Sequence, residues 1–257
     1  KVEEDYNLED LLQKLLVPNP TKRISWEEFF EHNFFKQKLL GDVTKKDFEE
    51  VVQKYPKLQG NLGSIEIEEC YDKDLNMYGE VIKGTKTLHG RGIYISKSLG
   101  VLVKGYFFDG KQNGKSEMIF SDGGHFEGEF LNGEKFGKGK EVFPNGNEYE
   151  GDYKNGLLDG FGIFKYNNGN YYEGEFKCDS RYGKGTFYNK TLGQKYECNW
   201  MNDLKHGKGT VYFDNGKKIE GNWKNGIRDG EFKLYKNKDV NEFKVEIFQN
   251  GVKKATK

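Results

Sequence analysis

Two stretches of the sequence come close to known phosphate-binding or ion-binding loops. The segment from Gly110 to Ser116, GKQNGKS, resembles a phosphate-binding P-loop, but three residues separate its two glycines where four are needed. The segment that starts at Asp72 begins like a calcium-binding loop. However, Met77 stands where that loop turns on glycine, and Lys83 stands where it binds the ion through glutamate. We therefore predict that neither segment binds its ligand.

Nucleophilic and metal chemistry have equally little support. His89 and His206 each stand just before a Gly-x-Gly pair, which indicates a structural role, and neither has a serine or cysteine partner nearby in sequence. The cysteines, Cys70, Cys178 and Cys198, are odd in number and lack metal-ligand spacing, which favours a reducing compartment. We therefore expect a cytoplasmic protein whose chain has no catalytic residue, no metal and no cofactor.

The composition narrows the class of protein. Glycine supplies 34 of the 257 residues and aromatic residues supply 15%, whereas an ordinary domain has about 7% glycine. Although 32% of the residues are charged, the many aromatic side chains predict a folded core, because disordered segments are poor in them. Basic and acidic residues both number 41, so no overall charge favours nucleic acid. No stretch reaches the length of about 18 apolar residues that a membrane-spanning helix needs.

Glycine also divides the chain, because residues 1–60 contain only two glycines. This change in composition marks a boundary near residue 60. The first region predicts helices, of which the third runs from Lys45 to Tyr55. Its predicted buried side comprises Phe48, Val51, Val52 and Tyr55. The predicted organisation is a helical segment over 1–60, a connecting segment over 61–81 and a repeat array over 82–251.

The array repeats a five-residue unit with an aromatic or aliphatic residue first, glycine third and an apolar residue fifth. Its copies are Val103–Phe107, Phe126–Phe130, Tyr149–Tyr153, Tyr172–Phe176, Tyr196–Trp200 and Ile219–Trp223. Their central residues lie 23, 23, 23, 24 and 23 positions apart. A Gly-x-Gly pair follows most copies, and a shortened copy precedes them. We count seven repeats with ragged ends.

Each unit predicts a strand whose two faces differ. Side chains alternate across a strand, so Tyr149, Gly151 and Tyr153 share one face, and Asn155-Gly156 supplies a turn before the next strand. Glycine weakens strands, so its regular use indicates that a large ring from a neighbouring strand lies against bare backbone. The predicted structural glycines are Gly105, Gly128, Gly151, Gly174 and Gly221. The predicted fold is mainly β, an elongated single-layer antiparallel sheet of stacked hairpins with a short helical N-terminal region.

Residues from about 82 to 235 resemble the MORN repeat family, whose pattern is Tyr-x-Gly-x-Trp/Tyr, a turn glycine and a later Gly-x-Gly. The sequence departs from it at Cys198, which replaces a strand glycine, and at Ser116, which replaces the second glycine of a pair. The resemblance implies a non-catalytic scaffold at membranes or cytoskeletal assemblies, including cilia and flagella.

Residues from about 8 to 35 resemble the end of a serine/threonine protein kinase C-lobe. The matching motifs are Asp10-Leu11-Leu12, Asn19-Pro20-Thr21-Lys22-Arg23-Ile24 and His32-Asn33-Phe34-Phe35. In such kinases the residue that matches Arg23 pairs with a glutamate of the activation segment. The glycine-rich loop and the catalytic-loop and metal-binding motifs are absent here, so this chain cannot transfer phosphate by itself. ATP and magnesium enter only if a kinase domain precedes it in the parent polypeptide.

One stripe of aromatic residues is a candidate both for the core and for a partner-binding groove. Its members are Phe126, Phe130, Tyr149, Tyr153, Tyr172, Phe176, Tyr196, Trp200 and Trp223.

The first functional hypothesis is a module that binds a peptide, a helix or a second MORN rod, including an identical chain, with a place in a cytoskeletal or axonemal assembly. The second is the targeting or regulatory tail of a kinase. The third is a binder of anionic lipid.

Overall fold

The computed structural model describes residues 44–55, 65–71, 75–236 and 242–257, which form one α-helix and 18 β-strands. The elements are α1 (Lys45–Lys54), β1 (Ile65–Tyr71), β2 (Leu75–Ile82), β3 (Leu88–Ser96), β4 (Val101–Phe108), β5 (Lys111–Phe120), β6 (His125–Leu131), β7 (Glu134–Val142), β8 (Glu148–Lys154), β9 (Leu157–Lys165), β10 (Tyr171–Lys177), β11 (Ser180–Asn189), β12 (Gln194–Met201), β13 (Leu204–Phe213), β14 (Lys218–Lys224), β15 (Ile227–Arg228), β16 (Gly230–Tyr235), β17 (Phe243–Gln249) and β18 (Val252–Thr256). The predicted mainly β fold of antiparallel hairpins is confirmed. The kinase-like segment with Arg23, and residues 72–74 of the calcium-like loop, lie outside the described residues.

The chain forms two compact units, and the boundary between them lies within β7. The first extends to Glu134 and includes Glu141–Pro144, and the second comprises Lys135–Lys140 and Asn145–Lys257. In the first unit, β1 to β6 pair in sequence order, each antiparallel to the next. In the second unit, β8 to β14 pair in the same way, and β16 to β18 continue the order beyond β14. The boundaries predicted at 60, 81 and 251 stay predictions.

The hairpin turns recur with the repeat. Asn155 and Gly156 have φ angles of 51° and 79°, as a two-residue type I′ turn requires. Six further pairs share two positive φ angles: Asp109-Gly110, Asn132-Gly133, Cys178-Asp179, Asn202-Asp203, Asn225-Gly226 and Asn250-Gly251. The second residue of each turn donates its N–H to a carbonyl of the previous hairpin, as Gly226 does to Lys205 at 2.8 Å. Within each unit, consecutive hairpins are therefore held in a fixed register.

Helix α1 belongs to the first unit and lies against β2 and β3. Thr44 caps it, because its side chain accepts from the Asp47 N–H while the Asp47 carboxylate accepts from Thr44. The buried side of the helix carries Phe48, whose ring centre lies 5.2 Å from that of Tyr78. Val51 and Tyr55 are buried as predicted, but the prediction for Val52 was wrong: its side chain is 37% exposed.

A buried carboxylate fastens this helix to the sheet. Glu117 lies on β5, is only 2% exposed, and accepts hydrogen bonds from Lys54 of α1 at 3.1 Å and from His125 at 3.0 Å. Burial by itself raises the pKa of Glu117, but the His125 hydrogen bond and the charges of Lys54, His125 and Lys104 outweigh burial and lower that pKa to about 2. The ionised form of Glu117 therefore stabilises the first unit.

We expect Glu117→Gln to lower the free energy of unfolding at neutral pH by about 2–3 kcal/mol, because the pKa of the folded state lies well below that of the unfolded chain. This stabilisation is present above pH of about 4.5 and is lost as pH falls towards about 2, where the folded carboxyl protonates. Urea unfolding of both proteins over that range measures the difference. The matched change Glu129→Gln, at an exposed carboxylate on β6, should leave stability nearly unchanged. A pH-independent difference for Glu117→Gln would contradict this account.

Candidate functional site

A row of glycines crosses the sheet of the second unit at one register. Gly151 pairs with Gly162, Gly162 with Gly174, and Gly174 with Gly185. The row continues through Cys198, Gly209 and Gly221. In the first unit the corresponding row is Gly79, Gly92, Gly105, Ser116 and Gly128. The structure thus brings all five predicted structural glycines into two rows, and both Cys198 and Ser116 stand within them.

Aromatic rings fill the space above the glycine row of the second unit. The Tyr172 ring lies over Gly174 of its own strand and over Gly185 of the next, where an added Cβ would come within 2.5 Å of the ring carbon Cζ. Its hydroxyl donates to the Glu175 carbonyl at 3.0 Å. Tyr149 repeats this arrangement one hairpin earlier and donates to Asp152 at 3.0 Å. Rings do meet bare backbone as predicted, but each of these two covers a glycine of its own strand as well as one of the neighbour.

We call the sheet face of the second unit that carries these rings the ring face. Edge-to-face contacts join the rings: the centre of Tyr149 lies 5.3 Å from that of Phe176, and the centre of Tyr172 lies 5.6 Å from that of Trp200. Of the nine aromatic groove candidates, eight are buried. The exception is Tyr196, which is half-buried. Partner binding by the nine rings stays a prediction, and the structure places eight of them in the core.

The exception at Tyr196 has a local cause. Its repeat carries Cys198 where the others carry glycine, and the Cys198 thiol occupies the space above Gly209. The Tyr196 ring therefore does not close over the glycine row, and its hydroxyl donates to Gln194 instead of to the backbone. Burial raises the pKa of the Cys198 thiol to about 11, so it is a packed and protonated group. The departure from the repeat pattern therefore leaves one of the nine candidate rings half-buried.

Three basic side chains on β11, β13 and β15 lie between the rings of the ring face, and a fourth, Lys135, lies 5.6 Å from the Tyr153 ring centre. Arg181 pairs across strands with Phe176, Lys205 with Trp200 and Arg228 with Trp223. We call these three residues the cation row. The Lys205 ammonium lies 4.4 Å from the Tyr196 ring centre, and the Arg181 guanidinium lies 4.4 Å from that of Trp200. Arg228 lies 5.3 Å and 5.1 Å from the ring centres of Phe232 and Phe248.

Only one member of the cation row has a carboxylate partner. Arg181 donates to Asp203 at 2.9 Å. Among the described residues, neither Lys205 nor Arg228 forms an ion pair within 4.0 Å. The pKa of Lys205 is lowered first by burial, with further lowering by the charges of Arg228 and Arg181. The site therefore holds positive charge that the described part of the chain does not neutralise.

Sequence reasoning missed the cation row, although a signal for it was present. Each member stands two residues before a repeat glycine, and the positions 181, 205 and 228 are 24 and 23 apart, as in the repeat. The equivalent position holds Leu158 in the preceding hairpin, where the side chain is buried. Only the folded structure shows that these side chains lie over the rings of the adjacent strands.

The segments that came close to known sites have structural roles. The P-loop-like segment forms the turn at Gly110 and the strand β5, with no helix following its glycines. The His89 ring contacts Phe108 at 4.6 Å. His206 is half-buried.

Within the described ranges, no group of three or more His, Cys, Asp or Glu side chains has metal-binding geometry, and no helix has the length and hydropathy that a membrane crossing requires.

The MORN repeat family matches this chain at residues 104–125, 126–148, 149–171, 172–191, 196–218 and 220–231. MORN repeats are therefore detected over residues 104–231, inside the range of about 82 to 235 that resembles this family. The shortened copy ahead of them lies outside these matches, but its Gly79 and Gly92 stand in the glycine row of the first unit. A comparison with curated proteins finds no significant match.

Among solved structures, the chain is similar to the SAS-4 (dCPAP) TCP domain of Drosophila melanogaster, in complex with a proline-rich motif of Ana2 (dSTIL). The two are 15% identical, with a TM-score of 0.37, over 65% of this chain and 82% of that one. A TM-score this low does not establish a shared fold.

We expect Gly185→Ala to destabilise the second unit by about 1–3 kcal/mol, because the new methyl group collides with the Tyr172 ring. Chemical denaturation of the two proteins measures the loss. In a Tyr172→Ala background the same change should cost much less, since the ring is gone. Glu173→Ala, at an exposed residue of the same hairpin, serves as the control. Equal costs with and without the ring would refute the packing role of the glycine row.

We expect Cys198→Gly to restore the regular arrangement, because the space above Gly209 then becomes free for the Tyr196 ring. The Tyr196 hydroxyl should become protected from solvent in hydrogen exchange, and the Tyr196 ring should lose its contact with Lys205 in nuclear Overhauser spectra. Cys178→Gly, which changes an exposed turn cysteine, should leave Tyr196 unaffected. An unchanged Tyr196 environment in Cys198→Gly would show that the thiol does not hold the ring out.

Proposed function

We propose that the chain is a non-catalytic MORN-repeat interaction module that holds a protein partner on the ring face of its second unit. One observation carries the proposal: around Cys198 the sealed aromatic core is interrupted, and half-buried Tyr196 lies beside the cation row. Aromatic and arginine side chains are enriched where proteins bind one another and supply much of the binding energy there.

The accessible surface extends beyond a single ring. Phe164, Tyr166 and Phe187 are also half-buried and belong to one aromatic cluster, in which the centre of Tyr166 lies 4.8 Å from that of Phe164 and 6.2 Å from that of Phe187. Phe187 in turn lies 6.1 Å from Tyr196. A continuous set of partly exposed rings fits a polypeptide segment, because it offers an extended track of apolar contacts.

The cellular assembly in which the chain acts is part of the same proposal. The MORN resemblance supports a scaffold role in a cytoplasmic assembly, cytoskeletal or ciliary, in which the partner is a peptide, a helix or a second MORN rod. A homodimer is one form of such an assembly. A kinase-linked role, with this chain as the regulatory tail, rests on the motifs around Arg23 and stays a prediction.

The lipid hypothesis has weaker support. Residues 61–257 carry 31 basic and 29 acidic side chains, which leaves little charge for attraction to an anionic membrane. A protein partner therefore accounts better for the ring face.

A screen of a random peptide library against the whole chain tests the proposal. We expect selected peptides to bind saturably in calorimetry, and Tyr196→Ala to weaken them about tenfold, as loss of a binding hot spot does. Tyr182→Ala removes a 38% exposed ring that pairs with Glu175 on the opposite face, and it should leave binding unchanged. No enriched peptide, or peptides that bind both variants equally, would reject the ring face as a partner site.

A further inference from the structure

The spacing of the cation row has a regular geometry. Arg181, Lys205 and Arg228 lie on β11, β13 and β15, so one strand lies between neighbouring members and their separation is two strand spacings. Strands lie about 4.8 Å apart, and the cations therefore recur at about 10 Å across the sheet. All three pair with a ring of the ring face and point to the same side. The row is thus a linear array of positive charge bordered by aromatic rings.

The three members of the cation row differ in whether a negative charge lies beside them. Asp203 neutralises Arg181, at the end of the row that is nearer β10. Lys205 has Tyr196, Trp223 and the Cys198 thiol around it, none of which is ionised at neutral pH. Arg228 contacts the rings of Phe232 and Phe248 and forms no ion pair with the described residues. Two adjacent cations that pair with no carboxylate of the described residues, held by rigid strands, form a prearranged receptor for negative charge.

We propose that the cation row binds an acidic segment of a partner protein in an extended conformation, with carboxylates at every third residue. This inference rests on the proposed function and names the chemistry of the partner. An extended polyproline-type segment advances about 3.1 Å per residue, so every third side chain lies on one side and recurs at about 9.3 Å. That repeat matches the spacing of the cations, and aromatic grooves are the surfaces on which such segments dock.

The half-buried rings of the site lie where the residues between the carboxylates would pack. Lys205 contacts the Tyr196 ring, and Tyr196 neighbours Phe187, so apolar surface adjoins the positive charge. Proline residues between the acidic ones fit this arrangement, because they fix the extended conformation before binding and pack on aromatic rings. The carboxylates then meet the cations while the prolines meet the rings.

The test measures binding of a labelled peptide that repeats glutamate-proline-proline to the whole chain by fluorescence anisotropy. Two control peptides separate charge from spacing: one repeats glutamine-proline-proline, and the other has the same composition with its glutamates grouped at one end. We expect the regularly spaced acidic peptide to bind at least about tenfold more tightly than either control. We also expect its affinity to fall as salt rises from about 0.05 to 0.5 M, because ions screen charge pairs.

Variants of the chain locate the binding. Lys205→Met and Arg228→Met should each weaken the acidic peptide about tenfold, while Lys205→Arg should retain it. Lys208→Met is the matched control, because Lys208 lies on the same strand as Lys205 but is exposed on the opposite face and pairs with Asn222. Lys205→Met should unfold at no lower urea concentration than the native chain, since it removes the middle one of three like charges. A lost interaction is then not explained by unfolding.

Several results would overturn the inference. Equal binding of the glutamine peptide, or equal binding by Lys205→Met, would remove the role of charge. Binding of anionic phosphatidylserine vesicles that depends on Lys205, without binding of the peptide, would make a lipid the ligand. If peptides from the random library bind and the acidic series does not, the partner chemistry is wrong while the interaction module stands. If neither binds, the proposed function fails as well.

Discussion

The structure depends on one contact, that of an aromatic ring with bare backbone. Glycine within a strand costs about 0.5–1 kcal/mol relative to alanine, so a row of glycines across a sheet is unfavourable by itself. Full burial of a large apolar side chain contributes about 1.5–3 kcal/mol, which exceeds that cost. The Tyr172 ring makes this exchange over Gly174 and Gly185 and adds a hydrogen bond to the Glu175 carbonyl. Ring burial therefore outweighs the cost of the glycines. This explains why an aromatic residue and a glycine recur together at the repeat spacing.

The candidate site arises where this contact fails. The Cys198 thiol lies above Gly209, in the space that an aromatic ring fills above Gly162 and Gly185, and the Tyr196 ring is therefore displaced from it. The same hairpin brings in Lys205, which stacks on the displaced ring. A module that sealed every ring would have a stable core and few features for a partner to recognise. Cys198, in place of glycine, leaves the Tyr196 ring half-buried. Lys205, at the position where an earlier hairpin has the buried Leu158, adds a positive charge beside it.

The two units use their second faces differently. In the first unit, α1 covers the face opposite the glycine row and is held there by the buried Glu117 carboxylate. In the second unit, the opposite face carries short ion pairs between residues two apart on one strand, such as Lys195 with Glu197 at 2.7 Å and Lys218 with Glu220 at 2.7 Å. Such exposed pairs contribute little stability, so the ring face carries most of the packing energy of that unit.

The sequence by itself determined the strands, the turns and the repeat, because these depend on local spacing: glycine at every twenty-third or twenty-fourth position, alternation around it, and turn pairs such as Asn155-Gly156. It also predicted α1, whose Thr44 cap and apolar side are local features. Only the tertiary structure decided which rings are sealed and which is accessible, since Tyr172 and Tyr196 occupy the same repeat position and differ through the residue beneath them. The cation row likewise needed the fold, because Arg181, Lys205 and Arg228 are far apart in the chain and become neighbours only through strand pairing.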